Sequence, residues 1–154
     1  MIGNLPYHIS SPIIFRLIDH RERIKTATIM LQREVAERIV SGPHTKDYGI
    51  LSVFCQFFTD CKIVLTVPAT AFHPKPKVDS AVLQLTFKES LPAVRDFGLF
   101  RKIVKRSFNQ RRKMLRNSLS PFIDNRSIDF DLQLRPEQLS VQDFIDLSDQ
   151  ISTK

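Results

Sequence analysis

"GNLPYHISSPI", Gly3 to Ile13, decides how the rest of the chain reads. Ile2 and Gly3 have the character of a strand end, while Ser11 followed by Pro12 has that of a helix opening, a capping hydroxyl and then a first-turn proline. Ile13, Ile14, Leu17 and Ile18 recur at helical spacing and predict a helix to about His20. Between strand and helix stand an amide, a proline and an aromatic, which look like a site as well as a turn.

Working outward, "TATIML" from Thr26 to Leu31 is a β-branched run suited to a buried strand, and "REVAERIV" reads as a helix stopped by Gly42-Pro43. A loop with His44, Lys46 and Asp47 leads to a second apolar-periodic stretch through Ile50, Val53, Phe54 and Phe57. Two more strands are predicted at Lys62–Val67 and Ser80–Phe87, the second alternating with Ala81, Leu83, Leu85 and Phe87 on one face. Between them Pro68, Pro74 and Pro76 predict a stiff, exposed loop without regular structure. Strand followed by helix in this rhythm is α/β.

After Glu89 the texture turns helical, so the boundary falls near residues 88 to 96, with an α/β part at 1–90 and a small all-helical part at 91–154. "FGLFRKIVKRSF" and "QRRKMLRNSLSPF" predict two basic helices separated at Asn109, which tolerates a left-handed turn. Pro136 and Ser140 open the last pieces. Ser140 with Asp143 resembles a capping box, and Phe144, Leu147 and Ile151 supply an apolar stripe.

With 154 residues, 42% of them hydrophobic and 25% charged, the chain has the composition of a folded globular protein. A formal charge of +7 favours a polyanionic partner, and with no apolar run of membrane-spanning length, nucleic acid leads. Cys55 and Cys61 form no C-x-x-C pair, and the four histidines show no metal-ligand spacing, so no metal is expected.

Three constellations carry chemistry. An exocyclic amine on a nucleobase is a poor nucleophile because its lone pair is delocalised into the ring. Two acceptors placed where its hydrogens point free that pair, and the Asn4 side-chain oxygen with the Leu5 carbonyl can do this. Pro6 holds Leu5 extended, and Tyr7 offers a flat face for a base. The plainer alternative is a turn at a strand end with Tyr7 partly in the core. In the second, Phe72 sits in a proline-stiffened loop beside Lys75 and Lys77, an aromatic face next to phosphate-binding charge, or else a loop Phe tucked inward. The third runs from Arg101 to Arg116 and has no acidic residue. Arg101, Lys102, Lys105, Arg106, Arg111, Arg112, Lys113 and Arg116 make a one-signed outer face around Phe100, Ile103, Val104, Phe108 and Leu115, fit for RNA or simply for water.

Together "GNLPYHISSPI", "MLQREVAERI", "YGILSV", "AFHPKPKVDSAVL", "FNQRRKMLRNSL" and "RPEQLS" resemble the KsgA-type, or RsmA-type, small-subunit ribosomal RNA adenine dimethyltransferases. The resemblance covers essentially the whole chain. It implies the C-terminal half of a class I, Rossmann-like methyltransferase sheet followed by a small helical domain. It further implies S-adenosylmethionine as cofactor and dimethylation of the N6 amines of two adjacent adenines in a hairpin loop near the 3′ end of small-subunit rRNA. Asn4 and the Leu5 carbonyl would hold the target amine, Asn4 would also approach the cofactor, and Tyr7 and Phe72 would sandwich the base after it leaves its stack. Immature small ribosomal subunits would be the partner, in the cytoplasm, with a monomeric full-length protein.

The chain departs from that pattern upstream: Gly3, Gly42, Gly49 and Gly98 form no G-x-G cradle for a cofactor. Met1 is thus expected to stand where a longer protein has a mid-strand residue. The chain alone is expected to be an incomplete, marginally stable enzyme half. The alternatives are a non-catalytic RNA- or ribosome-binding module and a macrolide-resistance type methyltransferase of 23S rRNA. DNA adenine methylation is disfavoured by Leu5 and the closeness of the match.

Overall fold

In the computed structural model, which describes residues 1–123 and 128–152, four strands form one sheet. They are β1 (Ile2–Asn4), β2 (Thr26–Gln32), β3 (Thr59–Val67) and β4 (Ser80–Phe87), in the order β1-β2-β4-β3. β1 runs parallel to β2, and β4 lies antiparallel to both β2 and β3. The predicted alternation sets the register. Ala27, Ile29 and Leu31 of β2 stand opposite Leu85, Leu83 and Ala81 of β4, and all six are fully buried. A slip of one residue would turn this whole set to the other face.

Two units make up the chain, Met1–Ser41 with Phe54–Leu91, and Gly42–Val53 with Pro92–Lys154. The first holds the sheet with α1 (Ser10–Asp19), α2 (Arg33–Val40) and the second half of α3 (Ile50–Phe58). Its core adds Ile14, Leu17 and Ile18 of α1, Ala36 and Ile39 of α2, and Phe54, Phe57 and Phe58 of α3. Phe15 meets Phe54 edge to face, with centroids 6.0 Å apart.

The second unit packs α4 (Phe97–Asn109), α5 (Leu115–Ser118), α6 (Ser120–Ile123) and α7 (Val141–Ser152) around Phe100, Ile103, Val104, Leu115, Phe144 and Leu147. The expected capping box opens α7: the Asp143 amide donates to Ser140 Oγ at 3.1 Å, and the Ser140 amide donates to the Asp143 carboxylate at 2.8 Å. The Gly42–Val53 segment is fastened here, through the His44 amide on the Glu137 carbonyl at 2.7 Å and Tyr48 edge to face against Phe108.

Five local expectations are corrected. β3 begins at Thr59 rather than at the predicted Lys62, because Thr59–Cys61 already pair with Leu85–Phe87 of β4. α1 begins one position before Ser11, with Ile9 as its cap, because a 3-10 turn at Tyr7–Ile9 already winds the chain, and Ser10 Oγ donates back to the Pro6 and Tyr7 carbonyls. The proline loop is not wholly irregular, since Ala69–Ala71 closes a 3-10 turn. "QRRKMLRNSLSPF" is not one helix: residues 110–113 form turns, and helix resumes only in the short α5 and α6. The amides of Leu115 and Arg116 donate to the Leu134 and Leu132 carbonyls, long-range bonds that displace a continuous helix. Asn109 ends α4 without a left-handed turn, and among the described residues only His44 has a positive φ outside glycine.

α2 stops before Gly42, at Ser41 in extended conformation, and Gln56 finishes it: its side-chain amide donates to the Ile39 and Ser41 carbonyls at 2.9 and 2.7 Å. Among the described residues no helix is long and apolar enough to cross a membrane, and no His, Cys, Asp or Glu cluster could hold a metal.

Tyr48 is fully buried and its hydroxyl has no hydrogen-bond partner among the described residues. Burial first, and then the Asp143 charge, push its phenol above the ordinary value. The folded chain therefore keeps a proton that the unfolded chain loses above about pH 10, so stability falls as pH rises past that point. Tyr48→Phe removes an unsatisfied group and is expected to stabilise the chain by about 1 kcal/mol. It is also expected to flatten the alkaline limb of a urea-unfolding series taken against pH. A loss of stability at pH 7 would refute this.

Candidate active site

Asn4 ends β1, and the chain leaves the sheet through Leu5. The Leu5 amide still donates to the Met30 carbonyl at 2.9 Å, continuing the parallel ladder one residue beyond the strand. The Leu5 side chain is buried, so its backbone is fixed at the end of the sheet. Pro6, at φ −57° and ψ 130°, then turns the chain outward as the sequence requires. Among the described residues the Leu5 carbonyl receives no hydrogen bond and the Asn4 side chain makes none. Asn4 is exposed, so its side-chain oxygen stands open at the strand end, next to a Leu5 carbonyl that no described residue engages.

Tyr7 is half-buried and held by its hydroxyl, 2.7 Å from Ser80 Oγ at the start of β4. Phe72, also half-buried, follows the Ala69–Ala71 turn, and its amide donates to the Ala69 carbonyl at 3.3 Å. Asn4, Leu5, Pro6, Tyr7, Phe72, Pro74 and Pro76 line one open cleft of about 350 Å³. Segments 68 residues apart in sequence, Asn4 and Phe72, thus meet at one place. The cleft suits a flat, partly aromatic guest whose polar edge meets two acceptors. Lys75 and Lys77 are exposed on the same loop.

The basic residues Arg101, Lys102, Lys105, Arg106, Arg112, Lys113 and Arg116 are exposed in the second unit. Arg111 differs. Its guanidinium donates to the Thr45 carbonyl at 3.1 Å and lies 3.8 Å from the Glu137 carboxylate. Around it residues 108–113 bound a hollow of about 440 Å³. Burial pushes both thiols upward, Cys55 strongly, which disfavours the thiolate form.

Sequence reading missed Ser80, Asp79 and Gln56. Ser80 and Asp79 stand inside the quoted "AFHPKPKVDSAVL", but a polar pair before a strand is ordinary turn chemistry and carries no distinguishing signal.

The family model for ribosomal RNA adenine dimethylase matches residues 1–151. Ribosomal RNA small subunit methyltransferase A of Francisella tularensis subsp. novicida (strain U112) is 48% identical over 157 residues, covering 99% of this chain and 60% of that protein. The same values hold for the protein of that name in Francisella tularensis subsp. tularensis (strain WY96-3418). The chain thus spans about 60% of the length of the curated relatives it matches. Among solved structures, a dimethyladenosine transferase from Plasmodium falciparum superposes with a TM-score of 0.77 at 26% identity, over 95% of this chain and 64% of that one. The 23S rRNA methyltransferase ErmE superposes with a TM-score of 0.63 at 22% identity, over 99% and 64%, and shows the shared fold alone.

Proposed function

Because this chain belongs to the ribosomal RNA adenine dimethylase family, we propose that it carries the target-base side of an enzyme that dimethylates adenine N6 in small-subunit rRNA. Its mixed open sheet with helices is the Rossmann-like methyltransferase fold expected from the sequence. The observation that carries the proposal is the convergence of Asn4, the Leu5 carbonyl, Tyr7 and Phe72 on one cleft.

In this reading the Asn4 side-chain oxygen and the Leu5 carbonyl accept hydrogen bonds from the N6 amine and turn its lone pair toward the electrophile, and the methylated nitrogen then loses a proton to water at the open cleft. Tyr7 and Phe72 stack on the extruded base, which offsets part of the cost of unstacking it. S-adenosylmethionine, when bound, supplies the electrophilic methyl group. The residues present fit the acceptor side of this transfer, and we assign Asn4, whose side chain makes no hydrogen bond among the described residues, to the approach of the donor as well. None of the four glycines forms a phosphate- or ribose-type cradle, so we assign the donor's main binding surface to the part of the relatives' length that this chain does not span. Catalysis is then chiefly alignment, since an oriented amine facing a methyl sulfonium needs geometry more than a strong base.

Two adjacent adenines in a hairpin loop near the 3′ end of the small-subunit RNA are the proposed substrate, presented on immature subunits in the cytoplasm to a monomeric enzyme. Splayed loop bases are where proteins commonly read RNA. Arg101, Lys105, Arg112, Lys113 and Arg116, with Lys75 and Lys77, are the proposed phosphate contacts, and Arg111 braces the turn that carries two of them. The test compares methyl transfer from labelled S-adenosylmethionine to unmethylated small subunits by this chain and by a version extended to the relatives' full length. Activity in the extended version alone is expected. Activity in the short chain would overturn the assignment of the donor surface, and silence in both would leave an RNA-binding module.

A further inference from the structure

The start of β4 holds both aromatic walls of the cleft. Ser80 is fully buried and pairs with Gln32 of β2 on one side and Val67 of β3 on the other, so it sits in the middle of the sheet. Its hydroxyl lies 2.7 Å from the Tyr7 hydroxyl. Asp79, one residue earlier, takes the Ala69 amide on its carboxylate at 2.9 Å. Ala69 in turn holds the Phe72 amide, so the bonds run from Asp79 through the Ala69–Ala71 turn to the Phe72 backbone. Asp79 is itself fixed at α2: its carbonyl accepts the Arg33 amide at 3.0 Å, and the Arg33 guanidinium lies 3.9 Å from its carboxylate.

We propose that Ser80 and Asp79 are positioning residues for the cleft, Ser80 fixing the ring of Tyr7 and Asp79 the approach of the Phe72 loop, so that a base meets two walls already at stacking separation. The inference rests on the reading that the cleft takes an extruded base. A half-exposed phenylalanine at position 7 would turn freely, and ordering it on binding would cost affinity. The Tyr7 hydroxyl gives the ring a second point of attachment, on a strand paired on both sides. This assigns a reason for tyrosine over phenylalanine that stacking alone does not supply, because both rings stack.

The test uses the 154-residue chain and a hairpin RNA with 2-aminopurine in place of a loop adenine, whose fluorescence falls when it stacks. Binding is followed separately by anisotropy. Wild type is expected to quench the probe at saturation. Ser80→Ala and Tyr7→Phe are each expected to reduce the stacked population about two- to tenfold, the range for one hydrogen bond, without changing the salt dependence of binding. The double variant should be no worse than either single one, and Ser80→Thr, which keeps the hydroxyl, should restore quenching. Asp79→Ala should speed exchange of the Ala69 amide and reduce quenching.

Wild-type quenching in both Ser80→Ala and Tyr7→Phe, with quenching lost in Tyr7→Ala and Phe72→Ala, would overturn the positioning role and leave the cleft standing. Wild-type quenching in Tyr7→Ala and Phe72→Ala, or none in the wild type, would overturn the cleft reading and this inference with it. Should Ser80→Ala fail to fold, Tyr7→Phe removes the same hydrogen bond from the exposed side and decides the matter.

Discussion

Asn4→Ala, placed in a version extended to the relatives' full length, is expected to lower the rate of methyl transfer about 10²- to 10³-fold, the scale seen when one oriented polar group is removed from a developing charge. The amine would keep the Leu5 carbonyl and lose the second acceptor, so its lone pair would return to the ring. The fold should not register the change. The Asn4 side chain has no hydrogen bond among the described residues and is exposed, and such positions usually alter stability by less than about 0.5 kcal/mol. The effect should fall on kcat, with KM for RNA little changed, because the interaction matters most as the bond forms. Single-turnover transfer to unmethylated subunits measures it, and near-normal turnover would remove Asn4 from the mechanism.

Arg112→Ala with Lys113→Ala is expected to flatten the salt dependence of RNA binding by about 1.4 to 1.8 in the slope of log K against log salt, the release expected for two phosphate contacts. Both side chains are exposed in the turn that follows α4. Arg111 should behave differently, since its guanidinium already serves the Thr45 carbonyl and the Glu137 carboxylate. Its replacement by Ala should weaken binding through a loosened turn and speed exchange of the His44 amide, which donates to the Glu137 carbonyl. Titrations at several salt concentrations separate the two behaviours. Equal slopes for wild type and the double variant would remove this turn from the RNA surface.

The strands were legible because their period is written in single residues. Ala81, Leu83, Leu85 and Phe87 are all buried as the alternation requires, and β4 has the expected bounds, Ser80–Phe87. The run from Gln110 to Lys113 was not legible: glutamine, arginine and lysine favour helix, but bonds from Leu115 and Arg116 to residues 134 and 132 decide the backbone there. The end of α2 misled for a similar reason, since Gly42-Pro43 is a plausible stop but the carbonyls are closed by Gln56, a residue 15 positions from Ser41. At the cleft, Asn4, Tyr7 and Phe72 showed themselves by residue type in unusual company. Ser80 and Asp79 did not, because their role lies in what they touch across the sheet.

The β3 edge carries a device against sheet extension. Its ladder with β4 shifts register between Ile63 and Leu65, so Val64 interrupts the regular edge, and the exposed Lys62 adds a charge beside it. A strand laid along β3 would match its hydrogen-bonding groups on one side of Val64 and fall out of phase on the other. The apolar side chains there, Val64 and Leu65 at 57% exposed each, can therefore be covered by another surface without the sheet being lengthened.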